Sequence, residues 1–327
     1  MSNPQTILPT PAGGYGARAR MLNWRRMIAP TGNAGDAVFR LLLLAAAIVL
    51  LLIVALMIGA IASNSLLSIH KFGWNFLTGR VWNPVGGEFG ALPFIYGTMV
   101  SSLIALTISV PLSLGVSIFL VEQSPPQLAR PLAFLVELLA AIPSVVYGLW
   151  GIFVLAPVLR EYVEPVLARL FGWLPLFQGT ITGIGLFTGG CILAIMITPI
   201  ISAVVRDVLS AVPQSQREAA LALGAPQWRV ILGVVLPAAS SGIATGAMLA
   251  IARVSGETAL LLFTAFGSRF FNFYLDQPIA ALPVQIYNYA ISPYDEWHAQ
   301  AWAATLVLMT LILVINIIVR FFTRTKF

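Results

Sequence analysis

Lysine occurs at two positions, Lys71 and Lys326, histidine at two, His70 and His298, and cysteine at one, Cys191. Each scarcity excludes a chemistry. A nucleotide-hydrolysing phosphate loop needs Gly-Lys followed by Ser or Thr, whereas His70 and Thr325 precede the two lysines. Any ATP that drives this chain is therefore expected on another subunit. Two histidines and one cysteine cannot assemble an ordinary Cys/His metal site, and they offer little to histidine-based catalysis. The chain reads as non-enzymatic, without a metal or cofactor of its own. A lone cysteine allows no intrachain disulfide; in an apolar run it reads as a small buried residue.

Charge is scarce as well. Charged residues make up 9% of the 327 positions and hydrophobic ones 59%, too little polar surface to cover a water-soluble globule. About 20 apolar residues cross a hydrocarbon core of ~30 Å. Six runs reach that length: 37–62, 92–121, 131–159, 181–205, 238–265 and 299–319. The first is too long for a signal-peptide core. All six are expected to be helices, because barrel strands alternate over about 10 residues.

Lysine and arginine beside the spans set the orientation. Twelve lie on one side: Arg18, Arg20, Arg25, Arg26, Arg40, Arg130, Arg206, Arg217, Arg229, Arg320, Arg324 and Lys326. Five lie on the other: Lys71, Arg80, Arg160, Arg169 and Arg269. Both termini are thus expected in the cytoplasm. The net charge of +6 follows from this asymmetry and from anionic lipid at the inner leaflet, with no call for nucleic acid.

Residues 1–36 are rich in Pro and Gly without apolar periodicity and read as a disordered cytoplasmic tail before a transmembrane domain, 37–327. Outer segments 63–91, 160–180 and 266–298 carry Trp, Phe and Tyr, as membrane interfaces do.

Within the inner loop 206–237, Ser215 and Glu218 have capping-box spacing, so a short helix is expected to start there. Gly224 suits the left-handed residue that ends a helix, and Pro226 suits the first turn of the next. Ala219, Ala220 and Ala222 keep the first helix thin, and Leu223 gives it an apolar tip fit for a groove on a partner. A plain surface helix between two spans has the same features.

Glu137, Arg253 and Glu257 fall inside expected spans, where each charge costs roughly 2.5–3.5 kcal/mol on insertion scales and is usually paired or functional. At ~100° per residue, Gly242, Gly246, Ala250, Arg253 and Glu257 share a face about 80° wide, whose small residues admit another helix. Arg253 and Glu257 would stand one turn apart, as a packing pair or lining a translocation path. On the third span Glu137, Ala141, Ser144, Gly148 and Gly151 share a second small, polar face, bent at Pro143. Arg253, a planar fork of donors, is the natural contact for an oxyanion.

Glu218-Ala219-Ala220, three residues, Gly224, nine residues, then Val234-Val235-Leu236-Pro237 resembles the signature loop of ABC-importer permeases, with Val234 in the place of Ile. The resemblance implies that this helix docks into a cleft of an ATPase dimer. SIHKFGWNFLTGRVWNP, GALPFIYGTMVSSLIAL, ELLAAIPSVVYGLWGIFVLAP and ILAIMITPIISAVVRDV, within 68–208, resemble the C-type subunit, PstC, of the phosphate-importer permeases. VLPAASSGIATGAMLAIARVSGETALLLFTAF and QPIAALPVQIYNYAISPYDEW, from residue 235 on, resemble the homologous A-type subunit, PstA.

The larger share favours the C-type. Implied are an all-α, six-helix type I importer permease in a bacterial inner membrane, moving inorganic phosphate inward. Its partners would be two ATPase copies that bind the ATP, a second permease subunit and a soluble phosphate-binding protein. Arg253, Glu257 and Thr258 match the family's intramembrane Arg…Gly-Glu-Thr motif. A carboxylate accepts a hydrogen bond from protonated phosphate and repels fully ionised sulfate. Importers of sulfate or molybdate stay open as alternatives, as does an ion-coupled secondary transporter, although the last has no use for an ATPase-docking loop.

Overall fold

The computed structural model describes residues 34–83, 86–265 and 267–324. The expected tail lies outside these residues except for its last three, which already belong to a helix. Eleven helices follow among the described residues: α1 Ala34–Phe72, α2 Trp74–Thr78, α3 Leu92–Gln123, α4 Pro126–Ala140, α5 Ser144–Phe171, α6 Leu186–Ala211, α7 Gln214–Ala222, α8 Gln227–Ser255, α9 Ala259–Thr264, α10 Leu282–Ala290 and α11 Asp295–Arg324. A two-stranded antiparallel ribbon pairs Trp82 with Phe89 and Asn83 with Glu88. Six helices, α1, α3, α5, α6, α8 and α11, are long and apolar enough to cross a membrane.

The chain divides into two compact units between Met57 and Ile58, within α1. In the first unit α1 is exposed from Gly35 to Met57 and, past Asp36 and Arg40, apolar all round with no polar stripe, as suits a helix surrounded by lipid.

The second unit is built around α6. Ile192, Leu193, Ile197, Ile201, Val205 and Leu209 are fully buried, with α3 against one side and α8 against another. Small residues make these approaches close. A Cβ on Gly190 would stand 2.5 Å from Ile104, and one on Gly242 would stand 2.3 Å from Val208. Serines of α3 add polar glue: Ser113 Oγ donates to the Thr198 carbonyl and Ser117 Oγ to the Ser202 carbonyl, each at 3.0 Å.

Two expected spans are broken. The run 131–159 is not one helix: α4 ends at Ala140, residues 141–143 turn, and the membrane-length helix is α5, continuing to Phe171. At the break the Leu139 carbonyl accepts from the Ile142 N–H at 3.3 Å and, more closely, from the Tyr147 hydroxyl at 2.8 Å, which joins the ended helix to the next. The run 238–265 likewise splits. Helix α8 begins earlier, at Gln227, and stops at Ser255, and α9 restarts at Ala259.

Four stretches widen into π-helix: Phe119–Gln123, Gly151–Leu155, Leu159–Val163 and Ile231–Val235. Each ends two residues before a proline: Pro125, Pro157, Pro165 and Pro237. A proline ring collides with the carbonyl four residues earlier, and a wider turn lets that carbonyl swing clear.

Candidate functional site

Helix α7 and the bend after it form an arm at the end of α6. The capping box does not form: Pro213 is the N-cap and α7 begins at Gln214, with no side-chain cap. The helix start is held from below instead. Arg217 donates to Glu122 at 2.8 Å, to the Leu209 carbonyl at 2.8 Å and to the Val212 carbonyl at 2.5 Å, which satisfies the last carbonyls of α6. Gln227 Nε2 donates to the Glu122 carbonyl at 3.2 Å. Glu122, at the end of α3, therefore ties both legs of the loop.

At the tip, Gly224 takes φ +80°. Its N–H reaches the Leu221 carbonyl at 2.9 Å, and the Ala225 N–H reaches the Ala220 carbonyl at 3.2 Å, the paired bonds of a Schellman ending. Leu223 is 89% exposed, with Leu221 and Trp228 exposed beside it. Glu218 and Ala219 face solvent, Ala220 is half-buried, and Pro226 caps α8. Leu236 and Pro237 lie just past the π segment of α8. A thin helix bearing an apolar tip and anchored at both legs is shaped to enter a groove and to move what it is tied to.

The charges of the expected spans stand on separate elements. Glu137 stands on α4, half exposed, and its carboxylate accepts from Arg206 of α6, so it belongs to a helix too short to span rather than to a transmembrane face. Arg253 and Glu257 are not a helical pair. Because α8 ends at Ser255, Arg253 stays on its exposed surface, while Glu257 lies in the break and is 7% exposed. Gly242, Gly246 and Ala250 do meet protein, the two glycines packing on Val208 and Val204 of α6.

Gly148 and Gly151 also meet protein. A Cβ on Gly148 would lie 3.2 Å from Leu260, and one on Gly151 3.0 Å from Thr264. These contacts step in parallel along α5 and α9. Ser144 opens α5, and Glu257 and Thr258 immediately precede α9, the helix on which Gly148 and Gly151 pack.

Glu122 and Gln227 escaped sequence reasoning. The signal for Glu122 was a carboxylate closing an apolar span, with an arginine in the next inner segment.

Residues 113–326 match the family described as binding-protein-dependent transport system inner membrane component. The phosphate transport system permease protein PstC of Pasteurella multocida is 41% identical over 73% of this chain and 77% of that protein. Its namesake in Mesorhizobium japonicum is 40% identical over 80% of this chain and 81% of that protein. A match over 80% of the chain necessarily runs past residue 235, so likeness to the C-type is not confined to 68–208. A chain of the MetNI methionine ABC transporter, solved facing inward, superposes with TM-score 0.52 at 19% identity over 72% of this chain and 94% of that one, a likeness in fold. The chain belongs to the binding-protein-dependent transport system inner membrane component family, as a non-catalytic, multi-pass ABC-importer permease of the PstC type.

Proposed function

We propose that this permease carries inorganic phosphate inward, powered by ATP that binds and is hydrolysed on a separate ATPase dimer. A binding-protein-dependent importer implies an ATPase and a substrate-binding protein; the specific partners here are a phosphate-binding protein, a second permease subunit and two ATPase copies. Both termini lie in the cytoplasm. The observation that carries the reading is the anchored arm with Leu223 exposed at its tip, which has no role in a transporter driven by an ion gradient. The choice of phosphate is supported by the PstC relatives.

Arg253, exposed on α8, is the oxyanion contact, and Glu257, Thr258 and Ser144 shape the passage beside it. Vesicles containing the permease, its partner subunits and the phosphate-binding protein should take up phosphate when ATP is supplied, and sulfate or molybdate far less. Uptake by this chain alone under an ion gradient would refute the assignment.

A further inference from the structure

Where α6 begins, opposite the coupling arm, Glu164 and Asp276 are 4% and 6% exposed. Each keeps one oxygen, Glu164 Oε1 and Asp276 Oδ1, without a hydrogen-bond partner. Both line the same chamber of about 10 Å³, room for about one water, whose other walls are Leu167, Ala168, Phe177, Phe187 and Leu275.

The surroundings hold the two carboxyls in place. Glu164 Oε2 accepts the Gly183 N–H at 3.1 Å. Thr182 Oγ1 donates to the Asp276 carbonyl at 3.0 Å, and the Phe187 N–H to the Leu275 carbonyl at 2.8 Å. Loop 268–281 is thereby laid on the start of α6.

Few other charges share the region. From α5, Arg160 attracts Glu164, and Glu161 is exposed. Helix α6 contributes the Cys191 thiol. The loop contributes Tyr274 and Arg269, but Arg269 stacks on Trp82 at 4.0 Å. Residues 172–185 contain no charged side chain.

Two ionised carboxylates with one arginine would leave a buried negative charge in an apolar chamber. A bound Ca²⁺ takes about 6–8 oxygens, and the chamber wall offers two side chains that carry them. A proton needs no such shell, and carboxyls crowded into one apolar site keep one. We propose that Glu164 and Asp276 share a single proton at neutral pH, and that this proton seats loop 268–281 on α5 and α6.

Burial pushes the Asp276 carboxyl above the usual carboxylate range, with its own backbone N–H pulling the other way. For a carboxyl raised in the folded state, the stabilisation is complete below the unfolded value near ~4 and is lost as pH rises through the folded value. The loop is therefore seated while the shared proton is held and loosens as pH rises through the folded value.

Infrared titration of the purified full-length permease tests this. A protonated-carboxyl band should persist at neutral pH, above the ordinary carboxylate range. Glu164→Gln and Asp276→Asn should each shift or remove it, since the remaining carboxyl has no like charge beside it. Hydrogen exchange at 186–187 and 275–277, corrected for intrinsic rates, should rise about tenfold over the same pH window in the unmodified chain. No such band at neutral pH, a band that neither variant moves, or pH-independent exchange would overturn the proposal. If a variant fails to fold, the unmodified chain's band and exchange decide alone.

Discussion

Gly224 holds φ at +80°, and no atom lies within 4 Å of where its Cβ would stand. A side chain is refused there by backbone strain rather than by crowding, at about 1–2 kcal/mol for the left-handed region and more for a β-branched residue. Gly224→Val should insert into the membrane normally and abolish substrate-stimulated ATPase activity of the assembled importer, while Gly224→Asn retains most of it. Normal coupling in the valine variant would mean that the bend has no mechanical role. Arg217 makes a different case, because it and Glu122 are only 13% and 10% exposed. Arg217→Ala strands a buried carboxylate and should cost roughly 2–3 kcal/mol. Arg217→Lys should recover only part, because one ammonium cannot replace a fork that serves three acceptors. Thermal unfolding of the purified permease measures both.

Among the elements, the unbroken spans were legible because length and hydropathy decide them: α3, α6 and α11 start and stop within about six residues of the apolar runs, while α1 continues past its run to Phe72. The broken ones were not. Ala140, Ala141 and Ile142 are as apolar as a helix interior, so hydropathy passes over the break before Pro143. Whether a proline bends a helix or ends it depends on who satisfies the freed carbonyls, and here the Tyr147 hydroxyl, in the next helix, joins the Ile142 N–H in doing so. The same limit hid the separation of Arg253 from Glu257, since face arithmetic assumes one continuous helix and Gly256 ends it. The capping box failed for a related reason: Pro213 already occupies the N-cap, and Arg217 comes from within the helix. The glycines of the two faces, by contrast, do stand at contact points, although Ala141 is exposed in the break. A Cβ on Gly151 would stand 2.5 Å from Ile192 Cδ1, so Gly151→Leu should destabilise the fold by about 1–3 kcal/mol through overpacking. Denaturant titration in detergent would show it as a lower midpoint.

For the molecule as a whole, selectivity separates Glu137 from Glu257. Glu137 is engaged with Arg206, whereas Glu257 lies in the break beside the proposed passage. Glu257→Gln should therefore weaken discrimination between phosphate and sulfate in ATP-driven uptake, and Glu137→Gln should leave discrimination alone while loosening α4. Equal effects would return Glu137 to the path. Helix α3 meets a different element at each end. One tip holds Glu122, to which both legs of the coupling arm are tied. Near the other, the Tyr96 hydroxyl donates to the Phe273 carbonyl, in the loop that covers the start of α6. The residues between span roughly 40 Å at ~1.5 Å per residue. On the function proposed above, a stroke delivered to one tip of this helix reaches the other through Pro111 and the π segment, without passing through the charged breaks. Opening at the far face is then geared to the docked ATPase by one connecting shaft, and the cargo's own contacts need not relay the signal.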